Sequence, residues 1–307
     1  MQSSLHSAVV FDGVGLHSGA AVRMIVKPAP VNHGIVFLRT DLSADIARIP
    51  ARWDAVVQSK LCTLLANPQG SSVSTIEHVM AALAGCGISN ALIEIDGPEV
   101  PILDGSSAPF VRGFLAAGIV EQSAPVMALK ILRPVEVREG EAVARLEPSD
   151  AIEMEFTIDF TDAAIGHQEK HLNLSNGTFV RELCDSRTFC RQADVDAMRA
   201  NGLALGGTLD NAVVVEGDRI LSPGGLRHQD EPVRHKMLDA MGDLSLAGGP
   251  ILGRYVGIRA GHAMTNRLLR ALFATPGAFA WVECNSHSGG KLPGVGVTPA
   301  DLPRIAI

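Results

Sequence analysis

Residues 233–243 read VRHKMLDAMGD, and three of them are types that can do chemistry together. His235, Asp239 and Asp243 are spaced by four, so on a helix they share one side. Val233, Met237, Ala240, Met241 and Leu244 form an apolar face on another side of the same helix. An imidazole and a carboxylate four residues apart can both hold one metal ion, and zinc accepts both donor types. The same spacing also arises by chance as a surface pair, and two ligands do not make a site.

A third ligand has to come from elsewhere. His78 in STIEHVMAALAG is the best candidate, because it lies in the first turns of an expected helix, where the dipole disfavours imidazolium and keeps the ring neutral. Glu77 precedes it, and neighbours on a helix diverge by about 100°. Glu77 is therefore not a second ligand, but it could take a proton from a water beside the metal, as a general base does. Ser74-Thr75-Ile76-Glu77 also fits the capping box S-x-x-E, in which the glutamate serves only the helix start. On these residues alone both readings stand.

His262 in RAGHAMTNRL follows an expected strand and opens an expected helix. It reads either as an ordinary first-turn residue or as the acid that protonates a leaving amine, with Asp243 as the carboxylate that raises its pKa. Thr188 and Phe189 in CDSRTFCRQ offer a hydroxyl and an aromatic face, though a strand or loop with a packed ring explains them equally. DGVGLHSG is glycine-rich but lacks the GK[ST] ending of a phosphate loop, so it reads as a turn. Neither a dinucleotide fingerprint nor a Gly-x-Ser-x-Gly elbow is present.

These residues must be positioned by regular elements. The first third reads as strands, with AAVRMIVKP and GIVFLRTDL the clearest. SVSTIEHVMAALAG reads as a helix with Ser74 as N-cap and Gly85 at its end, NALIEIDG as a strand, and DGSSAPFVRGFLAAG as a helix capped by Asp104 or Ser106. The stretch EQSAPV, 121–126, is the expected linker. Strands follow in ALKILRPVEVREG, EAVARLEP and AIEMEFTIDF, helices near 178–184 and 191–201, then a GLALGG loop and the strand NAVVVEG. Pro232, preceded by Asp230 and Glu231, is a start signal for the VRHKMLDAMGD helix. A strand ILGRYVGIRAG, a helix AMTNRLLRALFATPG and a last strand AFAWVEC complete the order. IEHVMAALAGCGI and VRHKMLDAMGDLSLAGGPI echo one another, each a helix with an early histidine and a glycine after its end, which suggests two related halves.

The 307 residues, 47% hydrophobic with a net charge of -7, suit one large or two medium domains and argue against a general nucleic-acid binder. The five cysteines are scattered without a CxxC pair, which suggests neither disulfides nor a cysteine zinc site and fits a reducing cytosol. The N-terminus lacks the basic start and apolar run of a signal peptide. Mean hydropathy is +0.21, yet the longest charge-free apolar region, 79–93, is broken by Gly85, Gly87, Ser89 and Asn90. It falls short of the roughly 20 residues of a spanning helix.

Taken in order, GVGLHSG, LRTDL, STIEHVMAALAG, PILDGSSAPF, FTIDF, SRTF, LALGGTLDNAVVV, VRHKMLDAMGDLSLAG and AGHAMTNRLL resemble the UDP-3-O-acyl-N-acetylglucosamine deacetylases, the zinc amidases of lipid A biosynthesis. The resemblance runs from about residue 8 to about residue 285. It implies an α/β (α+β) fold of two similar domains, 1–122 and 127–307, each a β-sheet layered with helices, with the active site between the layers. An insert near 190–215 would wall a passage for the acyl chain. Zn2+ would be held by His78, His235 and Asp239. Glu77 would be the general base, His262 the general acid oriented by Asp243, and Thr188 the donor to the oxyanion. Phe189 and Lys236 would face the substrate's sugar and polar head, Arg259 its diphosphate, and His17 would line the site. The implied substrate is a UDP-linked acylated amino sugar, met in the cytoplasm by a monomer without a transmembrane segment, with a transient touch on the membrane surface left open. Three features depart from the family: Ala142 stands where a nucleotide-binding lysine is common, with Arg138 or Arg145 as substitutes; CRQADVDAM opens more polar than the usual passage wall; and the tail from about 285 onward has little similarity and reads as loop.

Overall fold

A computed structural model describes residues 1–59, 61–284 and 286–303. In the first half the strands are β1 (Ser3–Leu5), β2 (Val9–Val14), β3 (Ala21–Pro28), β4 (Ile35–Arg39), β5 (Arg48–Pro50), β6 (Val56–Val57), β7 (Leu64–Ala66), β8 (Ser72–Ser74), β9 (Ala91–Ile95) and β10 (Ile119–Glu121). Its helices are α1 (Glu77–Gly85) and α2 (Ala108–Ala117). The second half carries β11 (Met127–Ile131), β12 (Val135–Glu139), β13 (Ala142–Glu147), β14 (Ile152–Asp159), β15 (His167–Asn173), α3 (Thr178–Glu182), β16 (Phe189–Arg191), α4 (Gln192–Ala200), β17 (Val213–Glu216), β18 (Arg219–Ile220), α5 (Glu231–Ser245), β19 (Ile251–Ile258), α6 (His262–Ala274), β20 (Phe279–Glu283) and α7 (Ser286–Gly289).

The first large sheet has the order β2-β3-β9-β4-β5. Its strands alternate as a half-buried sheet must: in β3, Val22, Met24 and Val26 are buried while Ala21 and Arg23 face out. Only β4 and β9 run parallel, and β9 meets β3 antiparallel. In the second sheet β12, β13, β19, β14 and β15 pair in the same order and with the same directions, and β11 and β20 extend it. The chain enters the central strand from α1 in one half and from α5 in the other. The echo between two helices is thus a repeat of five strands and the helix that feeds them.

α1 lies directly against α5, and one apolar core runs through both sheets and the helices between them. Gly242 permits the contact. A Cβ there would come within 2.1 Å of the Glu77 carbonyl oxygen, so the glycine inside α5 lets that helix rest on the backbone of α1. Phe11, Phe110 and Phe114 interlock edge to face beneath the first sheet. Trp53, stacked on Phe273 at 4.6 Å, fastens the first half to α6.

Several expectations change. Ser74 does not cap α1: it ends β8, its N–H donates to Pro98, and the helix opens from Ile76 without a side-chain cap. Thr75 intervenes with φ +58°, a left-handed conformation costly for a β-branched residue. Asp104 and Ser106 do not occupy the cap of α2 either; Ser107 does, and the Ser106 hydroxyl accepts the Ala108 N–H at 3.2 Å. β15 was not expected, because HQEKHLN has no apolar alternation; it is an edge strand paired only with β14. The tail is more than loop. Asn176 and Gly177 donate to Leu292 and Pro293, and a 3-10 turn at Pro299–Asp301 is capped by Thr298 and tied to Arg181 through Asp301. Among the described residues no helix is long and apolar enough to cross a membrane, and the five cysteines are unpaired.

Candidate metal centre and acid–base pair

The N-terminal turn of α1 and the first three turns of α5 bring His78, His235 and Asp239 together. All three are buried, and one donor atom from each lies within 4.8 Å of the others. His235 Nδ1 donates to the Ser186 carbonyl at 3.0 Å, which leaves the Nε2 lone pair facing Asp239 Oδ1 at 3.2 Å. His78 Nε2 is 3.7 Å from the same oxygen. Burial, reinforced by neighbouring His235, drives His78 down to about 3, so its ring is neutral. Asp239 Oδ1 has no hydrogen-bond donor among the described residues. A buried carboxylate oxygen without a donor, beside two imidazole nitrogens, is costly without a cation between them. The donor set fits a divalent metal ion. Burial resists ionisation of Asp239, yet His235, Lys236 and His262 together hold it well below the usual carboxylate range.

Beside this cluster stand the acid–base groups. Glu77 turns away from the helix cap: its Oε2 accepts the Thr63 N–H at 3.0 Å, and its Oε1 lies 3.8 Å from His262 Nε2. The capping-box reading is therefore excluded. Burial, with Asp239 and Asp243 nearby, raises Glu77 to about 7 although His262 pulls the other way. His262 Nδ1 is bound to Asp243 Oδ2 at 2.8 Å. Burial disfavours its charged form, but Asp243, Glu77 and Asp239 outweigh it and lift the ring to about 9. At neutral pH the pair holds a carboxyl group poised near its own pKa and an imidazole that keeps its proton.

The remaining predicted residues spread outward. The Phe189 ring meets His235 edge-on at 6.2 Å and Phe160 at 5.5 Å. Lys236 does not extend freely toward a ligand; its Nζ is held on Asp239 Oδ2 at 2.8 Å. Burial weighs against its charge, but Asp239 raises its pKa. Arg259 shares a small cleft with Lys236 and Phe160, and its guanidinium is paired with both Glu141 and Asp159. Thr188 sits at the mouth of β16, its N–H on the Gly105 carbonyl, and its hydroxyl has no hydrogen-bond partner among the described residues. His17 stands further off, with both ring nitrogens buried and without partners. Burial lowers its pKa against the pull of Glu99.

The glycine-rich stretches interlock. Leu205 and Gly206 N–H groups donate to the carbonyls of His17 and Leu16, and a Cβ on Gly206 would come within 2.2 Å of the Gly15 oxygen. GVGLHSG and LALGG are thus one backbone-on-backbone joint between the first half and the 190–215 segment. That segment folds as β16, α4, β17 and β18 over a small core of Val195, Ala212 and Val214, and it exposes Leu203, Leu205 and Leu209. A separate cavity of about 460 Å³ opens among Met80, Leu83, Met241 and Leu244, and none of the predicted site residues lines it.

Sequence reasoning missed the groups that hold these side chains in place. Glu99 is buried and accepts the N–H groups of His17 and Ser18 and the hydroxyl of Thr75, which holds the left-handed residue ahead of α1. Arg187 and Glu231 form a buried bidentate pair that ties SRTF to the start of α5. The Ser107 hydroxyl donates to the His78 carbonyl at 2.8 Å. Thr63 contacts both Glu77 and Asp243. No periodicity marks any of them, because their partners lie far along the chain.

Two helices that hold a His-His-Asp cluster beside a carboxylate–imidazole pair define a metal-dependent hydrolase of the two-sheet α/β type. The family model for LpxC, UDP-3-O-acyl N-acetylglycosamine deacetylase, matches residues 2–274. The chain belongs to that family. It is 50% identical over 278 residues to the UDP-3-O-acyl-N-acetylglucosamine deacetylase of Phenylobacterium zucineum (strain HLK1), covering 91% of this chain and 95% of the relative. It is 48% identical over 284 residues to that of Shewanella sp. (strain W3-18-1), covering 92% of each.

Proposed function

We infer that this chain hydrolyses the N-acetyl group of UDP-3-O-(3-hydroxyacyl)-N-acetylglucosamine, releasing acetate and the free 2-amino sugar, a step of lipid A biosynthesis. The observation that carries this reading is the 3.8 Å approach of Glu77 and His262 beside three buried donors for one metal. His78, His235 and Asp239 are assigned the ion, read as zinc. Such an ion, when bound, acidifies water and polarises an amide carbonyl.

The chain's own groups move the protons. Glu77 Oε1, the oxygen not engaged by Thr63, takes a proton from the attacking water. The Thr188 hydroxyl donates to the oxyanion that develops on the amide. His262, held through Nδ1 by Asp243, gives the proton on Nε2 to the departing amine as the C–N bond breaks. Phe189 offers its ring to the sugar. Lys236 is assigned to the polar head, Arg259 to the diphosphate by exchanging carboxylate partners for phosphate, and His17 to the lining of the site. The acyl chain is assigned to the 190–215 segment, where Leu203, Leu205 and Leu209 are exposed. A monomer in the cytoplasm is the proposed setting.

Acetate release from UDP-3-O-acyl-GlcNAc, with and without chelator, tests the reading. Wild type should release acetate and chelator should stop it. Glu77→Ala should keep its metal and lose roughly 10²–10⁴-fold in kcat. Acetate release at the wild-type rate by that variant would remove Glu77 from the mechanism.

A further inference from the structure

We propose that Thr63 is a positioning residue that fixes the base and the acid's partner relative to each other. The proposal rests on the deacetylase reading above. Thr63 lies just before β7, in the small β6-β7-β8 sheet that precedes α1, and it is 4% exposed. Its two polar groups face in two directions. The main-chain N–H donates to Glu77 Oε2 at 3.0 Å, and the hydroxyl donates to Asp243 Oδ1. Asp243 spends its other oxygen on His262 Nδ1. Base, threonine, carboxylate and acid therefore form one hydrogen-bonded chain: Glu77, Thr63, Asp243, His262.

The geometry decides which atoms are free to react. With Oε2 of Glu77 occupied, only Oε1 faces His262 Nε2 and the metal ligands. With Oδ1 of Asp243 occupied, Oδ2 is aligned on the imidazole, which turns Nε2 toward the reaction. Donors on both oxygens of Asp243 satisfy this buried carboxylate and hold it in one rotamer. Asp243 sits on α5 and Glu77 on α1, so Thr63 is the brace between the two helices at the level of the chemistry. The Glu77 contact is made by main chain and survives any side-chain change. The Asp243 contact needs a hydroxyl. Serine keeps it; valine, of nearly the same shape, does not.

The test uses the metal-loaded enzyme and acetate release from UDP-3-O-acyl-GlcNAc. Thr63→Val should lower kcat about 10- to 100-fold, the range typical for groups that orient reacting side chains. KM should stay within about twofold, with the melting temperature and metal content close to wild type. Thr63→Ser should recover kcat to within about threefold of wild type. In an Asp243→Ala background the same Thr63→Val change should cost less than about twofold, because the arm it removes is already gone. Wild-type kcat in Thr63→Val overturns the proposal. So does a serine variant as slow as the valine one, or loss of activity that tracks a fall in melting temperature in both, since each points to packing alone. Full additivity in the Asp243→Ala background overturns it as well. A wild-type enzyme that releases no acetate overturns the deacetylase reading and this proposal together.

Discussion

The two halves of the chain share a plan and divide the chemistry unevenly. Both order five strands identically, feed the central strand from a helix, follow it with another helix, and place a three-stranded sheet as an insert ahead of the feeding helix, with α3 before that sheet and α4 within it in the second half. Each insert supplies a threonine, Thr63 in one and Thr188 in the other. The helices differ. α1 has nine residues and contributes Glu77 and His78 from its first turn alone, whereas α5 has fifteen and carries His235, Asp239 and Asp243 on successive turns. A shared topology places two helices against each other, but a stripe of three acid–base or metal-binding groups needs helix length. The longer helix supplies the stripe and the shorter one its end.

The first way to break this comparison is to strip a ligand from each half. His78→Ala and Asp239→Ala should each weaken metal binding by more than about 100-fold, beyond the range for groups that merely orient ligands, and abolish turnover. Metal content after dialysis, read by elemental analysis, checks this. Full occupancy in His78→Ala would mean that the second half holds the ion alone.

pH separates the halves next. Glu77 belongs to the first half and, as the proposed base, must be deprotonated, so kcat/KM should fall tenfold per pH unit as the pH drops below about 7. His262 belongs to the second half and, as the proposed acid, must be protonated, so the rate should fall again as the pH rises above about 9. Asp243→Asn should move both limbs down, the alkaline one further, because the Asp243 charge and hydrogen bond lift His262 whereas the same charge is a lesser cause of the rise at Glu77. Rate profiles in wild type and variant settle this, and an acid limb that moves further than the alkaline one would contradict the division of roles.

A smaller effect is expected at the seam. Gly242→Ala would push a Cβ into the Glu77 carbonyl and should destabilise the fold by about 1–3 kcal/mol, lowering kcat as α1 shifts. Gly85→Ala, at the far end of α1, meets the Phe179 side chain instead. It should cost stability of the same order and leave kcat per folded molecule intact. Urea denaturation paired with single-substrate kinetics distinguishes the two glycines.

Much of this was legible because it follows local rules. The His235-Asp239-Asp243 stripe is visible at spacing four, and β3, β9 and β19 announce themselves by β-branched residues. Glu77 could not be decided locally, since S-x-x-E describes a cap and a base equally well. Thr75 in a left-handed conformation, stabilised by Glu99, removes Ser74 from the helix and excludes the cap. β15 was hidden because an edge strand with polar residues on both faces carries no periodicity. Thr63, Ser186 and Ser107 were hidden for a different reason. Each acts through a partner brought near only by the tertiary fold, and each of the three contacts engages a main-chain atom, which no residue type reveals.

The joint made by Gly15 and Gly206 has a consequence for how the protein comes into being. During synthesis the first half emerges long before α5 and the 190–215 segment exist, and domains tend to fold in that order. His78 can then sit on a finished helix with no partners, and its turn at GVGLHSG waits for a backbone that has yet to leave the ribosome. On the ligand set proposed above, metal capture is a late event that waits for α5 to pack on α1. An enzyme assembled this way does not present a half-built hydrolytic centre to the cell.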